Sequence, residues 1–302
     1  EAEEVLFAHL YSYSSYWWWC YYGGSLGTDP HKVVALKWDG QEFTVQDSVV
    51  TEGWVNDLSY SQGKLFMIAN DFGYYQWGYN NSLQSISWNG TSFEDDLKRV
   101  EFSDDYYYTY LRGLASNDEV VVVGSYYGTY LYNHDLERVS QLTGATENTY
   151  RYPNSYSFME NGDLIINGYS RLHYIDLSDI TTPERLSVIS TGWGRALDSD
   201  SHIAMTGNYW EGLTLVSFRD PSNPVLIPQS DFTTPRYLQH LEWDGDRVYL
   251  GSGWNGVYVL ESKIPDQYTN RSPEIILESD YFIVEAYDSI TLDASQSTDT
   301  EG

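Results

Sequence analysis

The chain has 302 residues and carries 44 Asp and Glu against 16 Lys and Arg, a net charge of −28, together with 29 Tyr, 11 Trp and 10 Phe. That charge excludes nucleic acid and anionic membrane surfaces as partners, because binding either requires Lys and Arg to displace condensed counterions. Apolar runs such as residues 120–123 fall far short of the roughly 20 residues that cross a bilayer, so direct membrane insertion is not expected. The length admits one large domain or two smaller ones. The lone Cys20 excludes an internal disulfide framework and any multi-cysteine metal site.

In chain order the elements repeat as a short strand, a tight turn, a stronger strand, a variable loop and a third strand. The first copy reads as residues 10–15, 16–19 and 33–36, and the second as 58–64, 65–68 and 83–86. Further copies open at Leu114, Tyr156, Leu197 and Leu241, each followed by an apolar strand and then by residues 130–132, 172–175, 213–216 and 257–260. A fourth strand follows in five copies, as at residues 43–45 and 186–189. Opening positions lie about 40 to 55 residues apart, the period of a propeller blade. Helical periodicity is absent and turn residues recur every few positions. The expected fold is therefore all-β, a six-bladed β-propeller, with a seventh, truncated blade left open because the last copy shows no fourth strand.

A second regularity precedes each opening position: an aromatic, any residue, a polar residue, any residue, then the apolar one. It reads Trp54-Val55-Asn56-Asp57-Leu58, Tyr110-Leu111-Arg112-Gly113-Leu114, Tyr152-Pro153-Asn154-Ser155-Tyr156, Trp193-Gly194-Arg195-Ala196-Leu197 and Tyr237-Leu238-Gln239-His240-Leu241. Only the first copy departs, with Leu6 and Ala8. Since this segment opens the innermost strand, Asn56, Arg112, Asn154, Arg195 and Gln239 are expected at the rim of the central channel. A feature repeated in nearly every blade is in the first place blade architecture.

Two junctions carry a recognisable phrase, residues 172–183 and residues 213–225, the latter containing Arg219-Asp220-Pro221-Ser222-Asn223-Pro224-Val225. They resemble the LVIVD repeat of bacterial and archaeal cell-surface propellers. Elsewhere Trp38-Asp39-Gly40 and Trp88-Asn89-Gly90 replace that turn. Residues 1–264 are assigned to the propeller and 265–272 to a linker. Residues 273–302, which include Leu292-Asp293-Ala294-Ser295-Gln296-Ser297, resemble the opening of a PKD-type, immunoglobulin-like β-sandwich domain. The two resemblances imply an extracellular or cell-surface location within a larger, secreted multidomain protein.

Enzyme motifs fail on context. Gly23-Gly24-Ser25-Leu26-Gly27 fits a nucleophile elbow but leads into a strand rather than a helix. Gly251-Ser252-Gly253-Trp254-Asn255-Gly256 fits a dinucleotide fingerprint but joins two strands, which leaves no helix N-terminus for a pyrophosphate. The six histidines show no zinc spacing, and no EF-hand loop is present, so no cofactor is predicted. Ca²⁺ stays possible through acidic clusters such as Asp95-Asp96, Asp104-Asp105 and Asp198-Ser199-Asp200. Were the protein an enzyme, His9 and His240, read as equivalent positions of blades one and six, would join Asp57, Arg112 and Arg195 in a titratable centre suited to an anionic sugar.

The two propeller faces differ in composition. Connections between first and second strands are short, whereas those between second and third strands and between blades are long and aromatic. The latter hold Tyr74, Tyr75, Trp77, Tyr79, Tyr106, Tyr107, Tyr108, Tyr126, Tyr127, Tyr209, Trp210 and Trp254, the candidate ligand-binding residues. Tyr and Trp offer flat faces with a polar handle, which suits sugars and protein interfaces alike. The expectation is an extracellular, non-catalytic binding or scaffold module that recognises a glycan or a protein through this face. The alternatives are a carbohydrate-active lyase or hydrolase centred on the channel, and a self-associating structural subunit of a surface layer or filament.

Overall fold

A computed structural model describes residues 5–10, 31–39, 41–51, 53–70, 81–102, 111–125, 128–142, 153–168, 170–208, 212–228, 238–244, 247–252 and 256–261. Six antiparallel sheets follow one another along the chain as the blades of a six-bladed β-propeller, and no helix occurs among the described residues. Blade one contains β1 (Val5–Leu10), β2 (His31–Trp38) and β3 (Phe43–Thr51). Blade two contains β4 (Trp54–Ser61), β5 (Lys64–Asn70), β6 (Asn81–Ser87) and β7 (Lys98–Phe102). Blade three is β8 (Leu111–Ser116), β9 (Val121–Ser125), β10 (Gly128–Tyr132) and β11 (Arg138–Leu142). Blade four is β12 (Ser155–Phe158), β13 (Leu164–Gly168), β14 (Arg171–Asp176) and β15 (Glu184–Ser190). Blade five is β16 (Gly194–Asp200), β17 (Ile203–Asn208), β18 (Gly212–Ser217) and β19 (Val225–Ile227), and blade six is β20 (His240–Trp243), β21 (Arg247–Ser252) and β22 (Gly256–Glu261).

Burial explains why second strands read as unbroken apolar runs. Blades two to five each lie face to face between two others, so both faces of a middle strand leave water, as in β9 and β13 where every residue is buried. The outer β15 faces a neighbour on one side only and alternates strictly between exposed and half-buried. Five apolar clusters form the seams. One joins Phe66, Ile68 and Leu83 of blade two to Leu111, Leu114 and Val123 of blade three, and another joins Met159, Leu172 and Tyr174 of blade four to Leu197, Ala204 and Val216 of blade five.

Asx turns close the hairpins. Asp39 Oδ1 accepts the backbone N–H groups of Gln41 and Glu42, both at 2.8 Å, and Asn117 Oδ1 accepts those of Glu119 and Val120, both at 2.9 Å. In the LVIVD-like phrase Asp220 Oδ1 takes the N–H of Ser222 at 3.0 Å. The N–H groups of Glu42 and Gln41 hold the Asp39 carboxyl below the usual carboxylate range, and the Asn223 side-chain amide, which donates to Asp220 Oδ2 at 2.8 Å, followed by the Ser222 N–H, does the same for Asp220. Between β4 and β5 the two-residue turn puts Gln62 at φ 48° and Gly63 at φ 74°, which suits the right-handed twist of the flanking strands.

Blade one corrects the register read from sequence. Of the residues expected as its first two strands, 10–15 and 16–19, all but Leu10 lie outside the described residues, and the neighbours of β2 are β1, which ends at Leu10, and β3. His9 opposes Val33 there, as Ile68 of β5 opposes Leu83 of β6. Thus β1 occupies the sheet position that the second strand holds in blade two. The cause is packing: Phe7 meets Tyr60, Trp88 and Phe93 of blade two at centroid distances of 5.2, 5.5 and 5.9 Å. The boundary at residue 264, the linker 265–272 and the domain opening 273–302 lie outside the described residues.

Candidate functional site: the channel mouth

The first strands of blades two to six, β4, β8, β12, β16 and β20, each touch the next around a central channel. They enclose a cavity of about 350 Å³ whose wall includes Asn56, Asp57, Arg112, Asn154, Arg195, Gln239 and His240. A second space of about 340 Å³ is lined, among the described residues, by Asn56, Arg112, Asn154 and Arg195. The five residues expected at the rim from the aromatic-x-polar pattern therefore converge on one cavity.

The pattern has a backbone meaning. In β4 the register skips between Val55 and Asp57, which leaves Asn56 as the extra residue against β5. In β16 it skips between Gly194 and Ala196, so Arg195 is extra, and in β8 between Leu111 and Leu114, which spans Arg112. In blade four the N–H of Asn154 bonds Asn167 O at 2.8 Å while Ser155 also faces Asn167. Blade six repeats this, with Gln239 N–H on Gly251 O at 2.9 Å beside the His240 to Gly251 pair. Asn56, Arg112 and Arg195 thus sit at β-bulges, which bend the strand and re-aim a side chain, and Asn154 and Gln239 stand in a like place immediately ahead of β12 and β20.

Two of the five residues also stitch neighbouring blades. Asn56 Nδ2 donates to Leu111 O at 3.0 Å, and Asn154 Nδ2 donates to Gly194 O at 3.0 Å. Each acceptor immediately precedes an arginine of the rim, so an amide of one blade fixes the arginine-bearing strand of the next. Buried Asn70 completes the blade two to three joint: its Nδ2 donates to Leu111 O and its Oδ1 accepts Leu111 N–H, both at 3.1 Å. Tyr156 seals the next seam, with its hydroxyl 2.8 Å from Thr129 Oγ1 and its ring over Gly113 and Gly124. A Cβ at Gly113 would stand 2.9 Å from Tyr156 Cε2, so the ring requires glycine there.

Asp57 is half-buried, and both its oxygens accept backbone N–H groups, Oδ1 from Leu58 and Oδ2 from Leu114 across the seam, at 3.0 Å each. Burial outweighs these bonds and pushes the carboxyl up to about 6. On β16, three residues beyond Arg195, Asp198 Oδ2 accepts Trp243 N–H at 2.7 Å and Oδ1 accepts Ser199 N–H at 2.8 Å. Burial raises the Asp198 carboxyl too, and burial followed by the Asp198 charge raises Glu242. Asp57 and Asp198 spend their oxygens on blade joints, which makes them positioning groups rather than ready proton acceptors.

His240 and Asp57 share the cavity wall, whereas His9 lies on β1 with its backbone opposite Val33 of β2. The twelve aromatic candidates, Tyr74 through Trp254, lie outside the described residues. Among the described residues no three His, Cys, Asp or Glu side chains gather as a metal site. Asp96 instead accepts the Ser87 N–H at 3.0 Å and hydroxyl at 2.6 Å in a turn. Sequence reasoning missed a second cavity of about 550 Å³ between blades four and five, lined by Glu160, Tyr174, His202, Phe218 and Arg219 among others. It lies among the short hairpin turns, the face that composition made look featureless, and the one available signal was the LVIVD-like phrase in these same two blades.

No protein-family model and no curated protein matches the chain. Among solved structures it is similar to a protein from Lactobacillus plantarum, with 12% identity and a TM-score of 0.57 over 79% of this chain and 76% of that one. It is also similar to a chain in the crystal structure of the mitotic checkpoint complex, with 13% identity and a TM-score of 0.54 over 77% and 72%. At such identities the likeness shows the propeller fold alone.

Proposed function

We propose that this chain is a non-catalytic binding or scaffold module: an extracellular propeller of the LVIVD-repeat kind, set ahead of a PKD-type domain in a larger surface protein, that recognises a glycan or protein partner at its channel-mouth face. The observation that carries this reading is the convergence of five polar side chains from five inner strands on one cavity, three of them at β-bulges. Scaffolding alone needs bulges of no particular chemistry, whereas here each presents an amide or a guanidinium. The aromatic connection 71–80 leaves β5 at Asn70 and returns at Asn81, the end of blade two that is bonded to Leu111 beside the mouth. Polar groups that fix orientation, together with the Tyr and Trp side chains that residues 71–80 carry in sequence, make the usual composition of a ligand site.

The test is glycan-array binding by the 302-residue chain, with and without Ca²⁺, beside a variant carrying Tyr75→Ala, Trp77→Ala and Tyr107→Ala. Binding that the triple variant loses is the expected result. Absence of binding to every glycan refutes the sugar half and leaves a protein partner or self-association, which size-exclusion chromatography at several concentrations then separates. The rival reading, a carbohydrate-active enzyme, rests on Asp57 and His240 sharing the wall with two arginines, and turnover of a bound glycan would establish it.

A further inference from the structure

Cations are scarce in this protein, with 16 Lys and Arg in 302 residues, yet two of them, Arg112 and Arg195, line one cavity from blades three and five. Their neighbours there, among the described residues, are the neutral amides Asn56 and Asn154. Among the described residues of the wider wall the carboxylate is that of Asp57, whose two oxygens accept the backbone N–H groups of Leu58 and Leu114. We propose that the channel mouth binds a carboxylate-bearing sugar residue of the uronate kind, with Arg112 and Arg195 engaging the carboxylate and the rim amides taking the hydroxyls. The inference rests on the module reading above and names the ligand class of that site.

Three physical arguments converge. A guanidinium presents its donors in a planar fork that matches a carboxylate, and two such groups give both affinity and orientation. Asn56 and Asn154 each commit an N–H to a backbone carbonyl, which fixes the side chain and directs the amide oxygen as an acceptor for a hydroxyl. A space of about 340 Å³ is at the small end of ligand pockets, the scale of a single sugar unit. The net charge of −28 adds selectivity. It repels polyanions such as phosphate chains at distances near the Debye length, roughly 8 Å at physiological salt, while a singly charged group passes to the local arginines.

The experiment is titration calorimetry of the 302-residue chain at pH 7 and 0.15 M NaCl with sodium glucuronate, glucose, acetate and inorganic phosphate as separate probes. Glucuronate is expected to bind at least about tenfold more tightly than glucose or acetate. Arg112→Ala and Arg195→Ala are each expected to weaken it by about tenfold or more, the scale of a lost charge-assisted hydrogen bond. Arg112→Lys and Arg195→Lys keep the charge and the fold but lose the fork, and are expected to fall between. Thermal melts confirm folding, and Arg219→Ala at the other cavity is expected to leave binding unchanged. Glucuronate binding no better than glucose, or binding untouched by the arginine variants, overturns the inference. Phosphate binding as tightly as glucuronate overturns the sugar and leaves a simple anion site. Neutral glycans that bind and are lost with Asn154→Ala but not with the arginine variants refute the anion while the module reading stands. Failure of glucuronate and every array glycan refutes the sugar half of that reading as well.

Discussion

Asp57 and His173 are buried to opposite effect. Burial lifts the Asp57 carboxyl from 3.8 to about 6, so between those values the folded protein holds a proton that the unfolded chain has released. Its contribution to stability is therefore full below about pH 4 and lost as pH rises through 6, at most about 3 kcal/mol. Burial, and after it the charges of Arg185 and Arg171, depress His173 from 6.5 to about 4, so stability falls as pH drops through that window. The two slopes largely cancel in the wild-type chain. Asp57→Asn removes one of them: its stability loss in urea denaturation is expected to be greater at pH 4.5 than at pH 7, and an equal loss at both would disprove the Asp57 assignment. Which residues reach the channel was legible from the aromatic-x-polar spacing. That the polar residue is the inserted one of a bulge was not, because a bulge is a relation between two strands and Asn56 carries no local mark of it.

Strands were legible wherever both faces are buried, as in residues 65–68 and 164–166, since continuous apolar runs bounded by Asx turns have few other structures open to them. In blade one the run Trp17-Trp18-Trp19 reads as the stronger strand, whereas the strand that pairs with β2 is residues 5–10, whose Val5-Leu6-Phe7 also matches Lys64-Leu65-Phe66 of blade two. The structure makes this placement testable. Phe7 packs on three aromatic rings of blade two, whereas Leu6 beside it is 50% exposed. Phe7→Ala is expected to cost about 3 kcal/mol or more and Leu6→Ala less than about 1 kcal/mol. Equal costs in denaturant titrations would mean that β1 faces the other way. The aromatic candidates of the long connections cannot be weighed in the same manner, as a loop's course depends on tertiary partners that no periodicity encodes.

Over the whole molecule the charge of −28 is a standing destabilising term, since like charges repel more in the compact state than in the extended one. The described ion pairs do little against it: Lys64 and Lys98 share Asp135, at 3.4 and 2.9 Å, on an exposed edge where such pairs contribute little. Raising NaCl from 0.05 to 1 M shortens the Debye length several-fold and is expected to raise Tm by several degrees. A Tm that falls with salt would show that specific ion pairs outweigh the general repulsion.

The rim is assembled from residues 56 to 240, and no blade owns it. Leu111 and Leu114 of blade three have their N–H groups held by Asn70 and Asp57 of blade two, and Gly194 of blade five has its carbonyl held by Asn154 of blade four. A molecule gripped by both Arg112 and Arg195 consequently clasps blades three and five across blade four. Prising the ring apart and releasing the ligand then become one event, so occupancy would slow amide hydrogen exchange at Leu111 and Leu114, far along the chain from Arg195.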